Sequence, residues 1–157
     1  MPVIQLTTFI KAPPDRVFNL SRSIDLHTIS TKQSKEKAVA GVTKGLININ
    51  ETVTWQADHL FKKRKFTSVI SKMEYPGYFC DEMVNGDFVS FKHHHYFDET
   101  NGGTIMRDKI IFKTPYHIIG TILNKIYLTN YLKKLIVKRN ECIKHFAESD
   151  EWKIILK

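Results

Sequence analysis

Between Glu51 and Lys113 five strand-like stretches follow one another with only short breaks, and the chain then runs into one long amphipathic segment, about His117 to Ala147. That order leaves few options. A long helix with an apolar stripe must bury it, and the concave face of the preceding meander is the surface at hand. The expected product is a sheet curved around the terminal helix, with a pocket between them. Strands otherwise built for burial also carry Trp55, His59, Asp81, His93, His95 and Asp108. Buried polar groups are costly unless paired or hydrated, so these residues are the first candidates for a function.

The remaining segments fit the same plan. Val3 to Ile10 alternates and is rich in β-branched residues, which predicts a strand. Pro14 and Asp15 suit the start of a short helix to about Arg22, burying Val17, Phe18 and Leu20. A second short helix, Ile24 to Ser30, turns Leu26 and Ile29 inward. Residues 31–50 are polar and punctuated by Gly41 and Gly45, and are read as a mobile connection bordering the pocket mouth. The meander strands are placed at Thr52 to Phe61, Phe66 to Glu74, Tyr78 to Val84, Asp87 to Phe97 and Thr104 to Lys113. Their turns are Lys62 to Lys65, Tyr75-Pro76-Gly77, Asn85-Gly86 and Asn101-Gly102-Gly103. In the terminal segment Ile119, Leu123, Ile126, Tyr127, Leu128, Tyr131, Leu132, Leu135, Ile136, Cys142, Ile143 and Phe146 recur at helical spacing. Roughly 30 residues make a rod of about 45 Å, enough to cross the sheet. The expectation is one α+β domain over 1–148 and a tail, 149–157, that carries Trp152 and Ile154-Ile155-Leu156.

A chain of 157 residues, 42% hydrophobic and 25% charged, has the size and apolar content of a single folded domain. The N-terminal residues lack a secretory signal pattern, no run of about 18 apolar residues occurs, and the expected location is cytoplasmic. Cys80 and Cys142 lack metal-ligand spacing and read as reduced, packed thiols. A net charge of +8 invites a nucleic-acid reading. Only Lys62-Lys63-Arg64-Lys65 forms a dense cluster, at an expected hairpin turn where solvated charge is ordinary, so no nucleic-acid partner is expected. Lys125, Lys133, Lys134, Lys138 and Lys144 on the polar helix face leave a weak contact with an anionic membrane surface open. An exposed sheet edge fits a monomer or a homodimer.

Pairing Phe97 with Thr104 opposes His95 to Met106, His93 to Asp108 and Phe91 to Ile110, and turns Phe91, His93, His95, Phe97, Met106, Asp108, Ile110 and Phe112 inward. The same alternation puts Val53, Trp55, Ala57 and His59 on one face, joined by Ser68, Ile70, Phe79, Asp81 and Met83. His93 with Asp108 is the natural pair, because an aspartate accepting the imidazole N–H offsets part of the burial cost. A structural hydrogen-bond network and a role in ligand recognition both fit. A metal triad of His93, His95 and Asp108 is stereochemically available, yet no other spacing supports it, and neither a metal nor a cofactor is expected. His93 or His95 could carry a proton near neutral pH, although no nucleophile motif or oxyanion device accompanies them.

The order of strand, two short helices, antiparallel strands and one long helix resembles the helix-grip fold of the START-like, or SRPBCC, superfamily. The segments Ser23-Ile24-Asp25-Leu26-His27, Ala40 to Ile47, Val53 to His59, Phe79-Cys80-Asp81-Glu82-Met83 with Gly86, and His93 to Phe97 resemble a bacterial branch of ligand-binding, polyketide cyclase/dehydrase-like proteins. The resemblance implies a cavity for a small, largely apolar molecule and transfers no residue role, since the fold hosts many functions.

The first expectation is therefore a protein that binds a small hydrophobic or amphipathic molecule. Trp55, His59, Ser68, Asp81, Phe91, His93, His95, Met106, Asp108 and Ile110 are the candidate ligand-binding residues. Second is an enzyme of the cyclase, dehydratase or hydrolase kind with His93, His95 and Asp108 as catalytic candidates. Third is an interaction module using the basic surface.

Overall fold

Phe18 meets Tyr75, Phe79 and Phe97 edge-on at 5.1–5.3 Å, and the aromatic cluster joins the first helix to the inner face of the sheet. The computed structural model describes residues 1–59, 61–115 and 122–157, with only the backbone of 122–124. Strand β1 (Val3–Ile10) is followed by α1 (Pro14–Ser21), which starts on Pro14 and Asp15 and buries Val17, Phe18 and Leu20. Helix α2 (Ile24–Ser30) is capped by Ser23, whose hydroxyl accepts from Leu26 N at 3.1 Å; Leu26 is buried and Ile29 half-buried. Then come β2 (Lys37–Gly41), β3 (Thr52–His59), β4 (Lys62–Glu74), β5 (Tyr78–Asn85), β6 (Ser90–Thr100), β7 (Gly103–Lys113), α3 (Ile122–Glu148) and α4 (Trp152–Ile155).

All seven strands make one antiparallel sheet in the order β1-β7-β6-β5-β4-β3-β2. With α3 it has the helix-grip architecture. Four of the changes from the sequence expectations concern the sheet. The stretch 31–50 contains the edge strand β2, paired to β3 through Ala38 and Trp55; Gly41, at φ 71°, lies against the Thr52 carbonyl where a Cβ would collide. Its mostly exposed side chains and its bulge hid it from pattern reading. The cluster Lys62–Lys65 is strand rather than turn: His59 faces Lys62, Asp58 faces Lys63 and Gln56 faces Lys65, and Phe61 takes φ 63°. Asp58 opposite Lys63 places one pair of opposite charges across the ladder, and Arg64 pairs with Asp87 at 2.6 Å.

Asn85-Gly86 does not make a two-residue turn, and β6 begins at Ser90 instead of Asp87. Phe88, in the longer connection, packs on Phe91 and Phe112 at 5.2 and 5.6 Å, and aromatic burial overrides local turn chemistry. Finally, the β6–β7 turn is the tight pair Asn101-Gly102, so Thr100 faces Gly103 and Phe97 faces Met106. The register moves by two residues. An even slip keeps every side chain on its expected face, and Phe91, His93, His95, Phe97, Met106, Asp108, Ile110 and Phe112 all point inward, with Phe91 the least enclosed.

Helix α3 lays Ile143 and Ala147 on the main core, while Leu128, Leu132 and Ile136 cover a second cluster of Ile4, Ile110 and Phe112. Ile126 and Tyr127, expected in the stripe, are 53% and 60% exposed. The expected helical positions His117 to Thr121, and the side chain of Leu123, lie outside the described residues. The end of α3 is tied to β1: Lys144 Nζ donates to Phe9 O at 2.8 Å and Lys11 N donates to Glu148 Oε1 at 2.9 Å. The tail folds back, with Arg16 stacked 4.3 Å over Trp152 and Ile155 and Leu156 against the core. Among the described residues no helix is long and apolar enough to cross a membrane.

Candidate functional site

Strand β6 sits between β5 and β7, and alternation turns His93 and His95 to the face covered by the helices. His93 lies opposite Asp81 on β5 and Ile110 on β7; His95 lies opposite Phe79 and Asp108. The hydrogen bonds run along the diagonals. His93 Nε2 meets Asp108 Oδ1 at 2.7 Å, and His95 Nε2 meets Asp81 Oδ2 at 2.7 Å. The expected His93–Asp108 pair thus forms, although direct opposition on the ladder belongs to His95. The two imidazoles lie 3.7 Å apart between centroids, and Phe79 stacks on His95 at 4.2 Å.

Helix α3 completes the network. Asn140 Nδ2 donates to Asp108 Oδ2 at 2.7 Å and approaches Thr8 Oγ1 at 3.5 Å, while Arg139 stands 3.9 Å from Asp108 Oδ1 and donates to Ser21 O at 2.9 Å. Sequence reasoning passed over Arg139 and Asn140. A signal existed: Asn140 occupies the position between Ile136 and Ile143 where the apolar stripe should continue.

Burial alone would raise the Asp108 carboxyl, but the His93 hydrogen bond and the adjacent His95 ring outweigh it and hold the group well below the usual carboxylate range. Burial is likewise overcome at Asp81, by the bond from His95. His93 moves the other way: desolvation, then the neighbouring His95, lower it to about 4 against the pull of Asp108. At neutral pH two carboxylates are therefore ionised beside a neutral His93. An ionised carboxylate only accepts, so the proton in the His93–Asp108 bond sits on Nε2 and the ring keeps its lone pair on Nδ1. The same logic places a proton on His95 Nε2 toward Asp81. His95 Nδ1 is buried without a hydrogen-bond partner; it lies 3.3 Å from Asp108 Oδ1, out of alignment for a bond.

The other candidates divide. Trp55 stacks on His27 at 4.1 Å, away from the His–Asp network. His59 Nδ1 bonds Tyr131 OH at 2.7 Å, and its Nε2 lies 3.7 Å from Glu36, which meets His27 Nε2 at 2.7 Å. Burial would raise Glu36, yet the charges and hydrogen bonds of His27 and His59 bring it down to about 2. His27, Glu36 and Tyr131 were not singled out in the sequence, because α2, the 31–50 stretch and α3 gave no pattern linking them. Ser68 is buried on β4. Phe91 contacts Phe66 at 5.4 Å, Met106 takes a 3.7 Å contact from Ser21 Oγ, and Ile110 is enclosed with Ile4 and Phe112.

Asp81 is set deep in the sheet yet keeps 21% of its side chain accessible. The seam between α1, α2 and α3, lined by Leu20, Leu26, His27, Arg139 and Ile143, has no room for a water molecule. An open hollow of about 310 Å³ lies on the outer surface between Arg16, Glu148 and Trp152. Of the helix expected to close the sheet–helix cavity, residues 117–121 lie outside the described residues.

No protein-family model matches the chain, and no curated protein matches it. Solved structures do. TTHA0849 from Thermus thermophilus aligns with a TM-score of 0.70 at 18% identity, over 90% of this chain and 97% of that one. The ginseng major latex-like protein 151 from Panax ginseng aligns at 0.67 and 12% identity, covering 94% and 98%. The di-domain ARO/CYC StfQ from the steffimycin biosynthetic pathway aligns at 0.70 and 13% identity, over 93% of this chain and 50% of StfQ. The latex-like protein and StfQ are SRPBCC-type proteins, and the chain shares their helix-grip fold.

Proposed function

We propose that the protein binds a small hydrophobic or amphipathic molecule between the inner face of the sheet and α3. The observation that carries this reading is Asp81: an ionised carboxylate on the covered face of the sheet, bonded to His95 and still 21% accessible. Half-buried Phe66, Met83 and Phe91 on the same face offer apolar walls, and Asp81 with His93 Nδ1 offers acceptors for a donor at the polar end of a ligand. Met106 and Ile110, at 0% exposure, support the wall from behind. Native mass spectrometry of the purified protein, beside its denatured and extracted control, tests the reading. A co-purifying organic molecule supports it. A protein that carries none and also fails to take up a fluorescent fatty-acid or polyaromatic probe refutes it.

A second reading, proton transfer in a cyclase-, dehydratase- or hydrolase-like reaction, is favoured by one feature. His93 is neutral and held by Asp108 with a free Nδ1 lone pair, the arrangement a general base requires. His93→Ala separates the two. As a binder the protein loses about tenfold in affinity, one hydrogen bond's worth; as an enzyme it keeps binding and loses turnover.

A further inference from the structure

We propose that Asp81, His93 and His95 are the ligands of a divalent first-row transition-metal ion, with Asp108 as the carboxylate that orients both imidazoles. Each of the three offers a donor atom, and these atoms lie within 4.8 Å of one another. Two imidazoles and one carboxylate suit zinc, iron(II) or cobalt(II), which accept mixed nitrogen and oxygen donors. The sequence pattern pointed to Asp108 as the carboxylate ligand, but Asp108 is spent on His93 and Asn140.

Three independent features support the assignment. Asp108 holds His93 through Nε2 at 2.7 Å and so leaves Nδ1 as the ligating nitrogen, the outer-shell arrangement that fixes tautomer and orientation at metal sites. His95 Nδ1 is the second feature. In the metal-free ring the proton bonds Asp81 through Nε2 and leaves Nδ1 orphaned 3.3 Å from a carboxylate oxygen. When a metal ion takes Nε2 and Asp81 Oδ2, that proton moves to Nδ1, on the side of the ring 3.3 Å from Asp108 Oδ1, so no net proton is gained or lost. Third, the cluster holds two carboxylates, Asp108 buried and Asp81 partly so, with Arg139 at 3.9 Å from Asp108 as the neighbouring permanent cation. A divalent ion supplies the missing positive charge. The accessible edge of Asp81 gives the ion an entry path and leaves a coordination position for water or a ligand oxygen.

The test uses the full chain after chelator treatment. Titration with Co²⁺, read by its visible d–d absorption, and with Zn²⁺, read by calorimetry, is expected to show one equivalent bound and a higher melting temperature. Asp81→Asn or His95→Gln should weaken binding by about 100-fold or more and Asp108→Asn by roughly 10–100-fold. His145→Ala, at an exposed histidine beside Glu151, should change nothing. No uptake by the wild type at about 100 μM metal overturns the proposal, as does binding that Asp81→Asn leaves intact. Should the variants fail to fold, long-range ¹H–¹⁵N spectra of the wild-type histidines decide. Zn²⁺ must shift the ring nitrogens of His93 and His95 and move the His95 proton to Nδ1; shifts confined to other histidines overturn the assignment.

Discussion

His95 donates to Asp81 at 2.7 Å across a diagonal of the β5–β6 ladder, although the residue directly opposite Asp81 is His93. The mirror diagonal joins His93 to Asp108 on β7. Three strands are thereby laced by side chains as well as by their backbones.

Removing the charge at the centre of that lacing should be expensive. Asp108→Asn weakens the two hydrogen bonds that the carboxylate accepts from His93 and Asn140, and at about 1.5–3 kcal/mol for each bond to a charged group the loss is about 3 kcal/mol or more. Urea unfolding should show a lower midpoint with an unchanged slope.

Asn140→Ala should cost less, about 1–3 kcal/mol, because it leaves one unsatisfied carboxylate oxygen rather than an unpaired cluster. A double-mutant cycle with Asp108→Asn should be strongly non-additive, since both changes remove the same bond.

Stability should fall with acid earlier than carboxylates alone dictate. His93 titrates near 6.5 in the unfolded chain and at about 4 in the fold, so between those values the unfolded state binds the extra proton and stability declines as pH drops. The loss is roughly 3 kcal/mol across that window. Glu36, lowered from 4.5 to about 2, adds a second loss below the first, as its carboxylate is protonated in the unfolded chain before the folded one. Thermal melts from pH 7 to pH 3 should show both; in His93→Gln the upper one should vanish.

Glu36→Gln should loosen the edge of the sheet without touching its centre. Glu36 connects His27 on α2 to His59 on β3, and β2 follows it directly. Amide exchange should speed up across Lys37–Gly41 and stay unchanged on β6 and β7.

Most of the architecture was legible because a period of two marks strands and a period near four marks the closing helix. Facing survived a register error at β6–β7: the slip was even, and even slips conserve the face. What escaped shares one physical cause, namely that contacts between distant segments overrode local pattern. Pairing with β3 carried Lys62–Lys65 into a strand, the packing of Phe88 on Phe112 opened the Asn85-Gly86 turn, and the exposed edge strand Lys37–Gly41 left no alternation to see. In the candidate site, parity alone brought Asp81, His93, His95 and Asp108 to one face. Arg139 and Asn140 became meaningful only once α3 was laid across them.

The pairing of β1 with β7 joins segments about 100 residues apart in the chain. During synthesis the opening strand therefore has no partner until nearly the entire sheet has left the ribosome, and Asp108 meets Asn140 later still. Until β7 has been made β1 presents an unpaired edge, and a pairing of such long range is slow to form.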